Sequence, residues 1–226
     1  MRARMKHTRQ GLPHQPGVRH PPISGRPHRA RSFVLWILGS AGPIFCVSCA
    51  SLRVPSSIPE FEPSAWVSVE KEGLDLRAVP LEGRSCYWEV FDENLPALGI
   101  VALWVEIRNG RRTPVTLTDA RWRLQIPGGK TGSLDAVEVM KRYHSKAGTR
   151  IYSTAAEADS RGKLDHLLLA PGNLAAGQSR SGFLFFAVDP EQEVHWSQAA
   201  RLIAPPIRCA GWRAAIIELP LAYATP

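Results

Sequence analysis

An antiparallel β-sandwich with a short helical insertion, preceded by a signal or anchor segment, is the fold class that the sequence predicts, and three observations predict it. Residues 121–126 (RWRLQI) alternate strictly, with Trp122, Leu124 and Ile126 on one face and Arg121, Arg123 and Gln125 on the other, the pattern of a half-buried strand. In residues 100–108, Val101, Leu103, Val105 and Ile107 share a face, while Glu106 and Arg108 mark where the other face meets water. Residues 183–186 (FLFF) are apolar on both faces, as in a central strand covered on both sides.

The first segment, residues 1–49, does not belong to that fold. Arg2, Arg4, Lys6, Arg9, Arg19, Arg26, Arg29 and Arg31 are eight basic residues with no acid among them, in a chain whose net charge is +8. The remainder is therefore neutral, and the basic charge argues for no nucleic-acid partner of the folded part. Residues 33–49 (FVLWILGSAGPIFCVSC) form the longest apolar run. A basic stretch, an apolar core and then small residues have the layout of an export signal. Gly39, Ser40, Gly42 and Pro43 weaken the second half, so the run falls short of the roughly 20 apolar residues that a spanning helix needs.

Residues 50–64 carry Pro55, Pro59 and Pro63 among Ser56, Ser57, Glu60 and Glu62, and read as a linker holding the domain away from the membrane. Residues 65–226 are long enough for one core. Beyond the strands already named, alternation predicts strands at 66–70, 74–79, 86–91, 115–117, 182–188, 202–209 and 213–219, with Asn109-Gly110 as a reversal at positive φ. Residues 128–169 break the rhythm. Ser133 can cap a short helix in which Leu134, Val137, Met140 and Tyr143 share a stripe, with Asp135 in the first turn and Lys141 and Arg142 in the last. Thr154 and Glu157 have the spacing of a second capping box. Long excursions from a sandwich carry binding function, which makes Tyr143, His144, Lys146, Arg150 and Tyr152 a candidate binding loop; a solvated loop covering a sheet edge is the alternative.

Cys46-Val47-Ser48-Cys49 resembles the lipobox of bacterial lipoproteins, in which a small residue precedes a cysteine that is diacylated and becomes the mature N-terminus. The family prefers leucine three residues before the modified cysteine, where this chain has Cys46. The resemblance implies lipidation at Cys49, with cleaved soluble export and an uncleaved single-pass anchor as alternatives. Ala50, rather than aspartate, after that cysteine is similar to outer-membrane sorting, facing the periplasm. With Cys46 in the signal and Cys49 lipidated, Cys86 and Cys209 remain, and in an oxidising compartment an even pair reads as one disulfide. Two free thiols acting as small hydrophobes are the alternative.

Residues 98–101 (LGIV) leading into 104–109 (WVEIRN) and 114–117 (PVTL), with 169–172 (LAPG) and 177–179 (GQS) before 182–186 (GFLFF), resemble bacterial envelope lipoproteins with an immunoglobulin-like sandwich. Most of that group has no assigned function, so the resemblance implies an immunoglobulin-like architecture and no activity.

Catalytic patterns are absent from the sequence. Gly128-Gly129-Lys130-Thr131 matches the end of a P-loop, but Leu124 stands where the first glycine belongs. His144, His166 and His195 have no metal-ligand spacing, and no Gly-x-Ser-x-Gly elbow supplies a nucleophile. The expectation is a lipid-anchored envelope protein without cofactor or metal: a binding or adaptor module for an envelope protein or glycan. Alternatives are a passive structural or assembly-support protein, or a hydrolase that unites His144 or His166 with a serine and a carboxylate. Trp88, Trp104, Trp122, Trp196 and Trp212 are candidates for core or contact surface, with core expected for the first three.

Overall fold

The computed structural model describes residues 52–55, 57–58, 60–147, 154–189, 196–209, 212–213 and 216–222. Cys46, Cys49, Arg150, Tyr152 and His195, the apolar run before Cys49 and the Trp212 side chain lie outside the described part.

The protein is mostly β and antiparallel, as the alternating segments predict. Among the described residues, β1 (Val67–Lys71), β2 (Leu74–Pro80), β3 (Ile100–Asn109), β8 (Ser179–Ala187), β6 (Gly129–Leu134), β5 (Arg123–Ile126), β9 (Arg201–Ile203) and β12 (Glu218–Pro220) form one sheet in that order. A second, smaller sheet runs β11 (Trp212–Arg213), β10 (Arg208–Cys209), β4 (Val115–Leu117), β7 (Gly172–Leu174). The large sheet curls until its edge strands β1 and β12 lie side by side, close to a barrel. Across that seam Lys71 Nζ donates to Ile216 O at 2.9 Å.

The central strands separate two cores. Val101, Leu103, Val105 and Ile107 of β3, with Leu184 and Phe186 of β8, point inward to meet Val115, Leu117, Leu174 and Cys209 of the small sheet. The intervening side chains Ile100, Ala102, Trp104, Phe183 and Phe185 point outward into an aromatic layer covered by α1 (Gly83–Phe91), α2 (Ala136–Ala147) and α3 (Thr154–Leu167). Helix is therefore more extensive than the one short insertion expected.

Several local expectations are corrected. Residues 86–91 are not a strand: Tyr87, Val90 and Phe91 are buried at helical spacing, and their packing outweighs the β-prone composition. The Tyr87 hydroxyl accepts from the Ala102 amide at 2.9 Å, which docks α1 on β3. Residues 202–209 split into β9 and β10 because Pro205 and Pro206 cannot donate to a ladder. Ser133 belongs to β6, and Asp135 caps α2: the Glu138 amide donates to Asp135 Oδ1 at 2.8 Å, and the Asp135 amide donates to Glu138 Oε2 at 3.0 Å.

Neither Asn109 nor Gly110 has positive φ. Asn109, fully buried, acts as a pin: its Nδ2 donates to the carbonyls of Thr113, Leu174 and Ala175 at 2.9, 3.0 and 3.1 Å, and its Oδ1 accepts from the Arg111 amide at 3.0 Å. Part of the stretch read as a linker is packed, with Leu52 buried in the outer core and Val54 and Phe61 against it. Cys86 and Cys209 are free thiols, so the expected pairing is not formed. Cys86 is exposed on α1, outside the large sheet, whereas Cys209 lies in the core on its other side.

Candidate functional site

The candidate site is a wedge where the large sheet splits. Along its outer edge, β8 pairs first with β6, through Ser133 opposite Phe186 and Leu134 opposite Phe185. Past Leu134 the chain leaves the sheet through Asp135 into α2, and opposite Phe183 residues 168–169 take its place: Leu168 bridges Phe183 in parallel, and the Leu169 amide donates to Phe183 O at 3.1 Å. Gly182 makes this exchange possible. A Cβ there would stand 2.4 Å from the Leu169 nitrogen and 2.7 Å from the Leu168 carbonyl carbon, so only glycine admits the crossing segment.

The gap between the end of β6 and residues 168–171 is a cavity of about 250 Å³. Its apolar lining includes Trp122, Leu134, Leu169, Pro171, Phe183 and Leu184. Asp119, Arg121 and Asp135 are also among its lining residues. Their charges are organised: Arg121 donates to Glu138 Oε1 at 2.8 Å and stands 3.9 Å from Asp135 Oδ2. The hydrogen bond from Arg121 holds the Glu138 carboxyl below its ordinary value against partial burial, with further help from the Asp135 amide. The same bond holds the Arg121 guanidinium above its ordinary value. Glu138 thus ties the capping box of α2 to Arg121 in the cavity lining. Chemically the wedge combines an apolar lining with one cation and two carboxylates, a setting for recognition of an apolar group that carries polar neighbours.

The sequence-derived loop is not assembled here. Tyr143 lies in α2, fully buried in the outer core, where its hydroxyl donates to Glu93 Oε2 at 3.2 Å. Burial, and then the neighbouring Glu93 carboxylate, push the phenol up to about 12. Its ring stands edge-on to His144, with centroids 5.4 Å apart. Lys146 is exposed in the last turn of α2. His144 and His166 occupy the last turns of α2 and α3. Among the described residues, no three His, Cys, Asp or Glu side chains are grouped to hold a metal.

Gly128-Gly129-Lys130-Thr131 forms the β5–β6 hairpin, with Ile126 opposite Gly129. It joins two antiparallel strands rather than leading into a helix, so the phosphate cradle of a P-loop is not formed. Trp104, Trp122 and Trp196 are buried, whereas Trp88, expected in the core, is 49% exposed on α1. No local pattern marks the wedge, because its sides come from pairings between distant segments; Gly182 ahead of an apolar run is the one local signal of a close approach.

No protein-family model matches the chain, and no curated protein matches it. Among solved structures it is similar to a functionally unknown protein from Listeria monocytogenes EGD-e, with 13% identity, a TM-score of 0.37, and coverage of 70% of this chain and 82% of that one. It is also similar to the yjhA protein from Bacillus subtilis, with 11% identity, a TM-score of 0.35 and coverage of 70% and 83%. A conserved hypothetical protein from Bacillus anthracis gives 11% identity, a TM-score of 0.27 and coverage of 66% and 94%.

Proposed function

We propose that the chain is a lipid-anchored cell-envelope protein whose domain, of immunoglobulin-like type, is a non-catalytic binding or adaptor module. The lipobox-like residues ahead of Ala50 support the anchor, and the antiparallel ladders facing one another across a core support the sandwich. The observation that carries the binding reading is the wedge beside β8. Its volume of about 250 Å³ lies below the roughly 300–1,000 Å³ of pockets that enclose whole small ligands. It suits one apolar side chain inserted by a protein partner, with the carboxylates and guanidinium of Asp119, Asp135 and Arg121 meeting the flanking polar groups. An envelope protein therefore fits the site better than a glycan.

The test is co-purification from detergent-solubilised envelope, comparing the natural chain with Ala170→Phe, which places a ring at the cavity wall. A stoichiometric partner held by the natural chain and lost from a folded Ala170→Phe variant is the expected outcome. A partner retained by both removes the wedge from the interface, and no partner from either favours passive structural support. Intact mass of the membrane-fraction protein tests the anchor independently: a chain starting at Cys49 plus acyl groups is expected, and a full-length mass overturns it.

A further inference from the structure

Resting on the anchoring reading above, the geometry points to which face of the domain meets the lipid: the one formed by α1 and residues 52–55 and 57–58, of which Leu52 is buried and Ser57 and Ile58 are exposed. Only Ala50 and Ser51 separate Cys49 from Leu52, and three residue steps span at most about 11 Å even when fully extended. Leu52 is not part of a free spacer, because it is 3% exposed and packs in the same core as Tyr87, Val90 and Phe91 of α1. Next to it, Arg53 Nη1 donates to Asp92 Oδ2 at 2.6 Å, fastening the segment to the end of the helix. An acyl-bearing Cys49 thus keeps Leu52, and the end of α1 to which Arg53 is bonded beside it, close to the headgroups, with Leu52 within about 11 Å of the anchor.

The surface presented there suits that position. Trp88 is 49% exposed and Ile58 is 45% exposed, each a large apolar side chain with no core of its own to enter. Beside Trp88 lies a cleft of about 560 Å³ whose lining includes Arg53, Val54, Ser57 and Glu89. Arg53 and Asp92 neutralise one another, which leaves Glu89 as the net charge of the cleft lining. Such a face matches a zwitterionic surface rather than a strongly anionic one, with the Trp88 indole at the headgroup level where amphipathic rings concentrate. The wedge draws on different elements, since none of its lining residues comes from α1 or from residues 52–58.

The experiment uses the full protein purified from membranes and reconstituted in zwitterionic vesicles whose acyl chains are brominated near the headgroup. Intact mass first establishes whether Cys49 is acylated. In acylated protein, the bromolipid should quench part of the tryptophan emission, and that quenched component should be lost in Trp88→Phe, an exposed substitution that leaves the core untouched. Acylated protein in which the natural chain and Trp88→Phe are quenched alike, or not at all, overturns the inference while the anchor stands. Protein without acyl groups at Cys49 overturns the anchoring reading and, with it, the reach on which this orientation depends.

Discussion

The two cores share strands but not chemistry. The inner core is mostly aliphatic, with Trp122, Phe186 and Trp196 as its aromatic members, and it is closed by a second sheet, so ladders hold both of its walls. The outer core is aromatic, with Phe91 5.2 Å from Phe183 and Trp104 4.8 Å from Phe183 between ring centroids, and its outer wall is helical. Helices make no ladder with the sheet beneath them. They are therefore fastened by a few polar tips, such as the Tyr87 hydroxyl on the Ala102 amide and Tyr143 on Glu93. Ladders on both walls and the Asn109 pin hold the inner core, whereas the helical wall of the outer core adds a few polar tips to its aromatic packing.

The sharpest way to break the arrangement is at β8, which serves both cores. Gly182→Ala should cost about 4 kcal/mol by forcing residues 168–169 off the strand, read as a shift in the denaturant midpoint. Gly162→Ala, in the interior of α3 with open space around it, should instead gain about 0.5–1 kcal/mol, so the same chemical change acquires opposite signs at the two sites.

Asn109→Asp tests the inner core. A carboxylate oxygen would replace the amide that serves three carbonyls, at a cost of about 3 kcal/mol by the same measurement.

Alkali tests the outer core. Tyr143 is raised from its ordinary 10.0 to about 12, so the fold favours its neutral form. Its contribution is complete below pH 10.0 and is lost as pH rises toward about 12, about 2–3 kcal/mol in all. Tyr143→Phe should flatten that decline relative to the natural chain in unfolding measured across the window.

The smallest effect is expected in acid. Glu138 lies below its ordinary 4.5, so its stabilisation is present above that value and is lost as pH falls through the folded-state value. Because Arg121 and Glu138 are substantially exposed, less than about 1 kcal/mol should disappear, and Glu138→Gln should remove the dependence.

The inner core was legible in the sequence because period two is a local signal. β2, β3, β4 and β8 lie where alternation places them, and their inward residues are the ones it selects. The outer face was harder to read. Tyr87, Val90 and Phe91 satisfy a helical period, while Cys86, Trp88 and Val90 equally satisfy an alternating one, and only the tertiary partner Ala102 decides between them. β6 escaped notice because GKTGSL has no apolar alternation; its place follows from the hairpin with β5. Leu52 escaped because proline density hides a single buried anchor. The wedge depends on pairings more than a dozen residues apart, which no local pattern encodes.

The seam between β1 and β12 has a consequence for behaviour in a crowd. An open sheet offers its outermost strands as templates on which other chains can add, and eight strands would make a long template. Here the two outermost strands face each other, Lys71 spans the join to Ile216 O, and Pro220 removes a donor from β12. The outermost strands of the small sheet are only two and three residues long. The domain can therefore be packed at high local concentration without strand-to-strand recruitment, and colloidal stability is built into the closure of the sheet rather than left to surface charge.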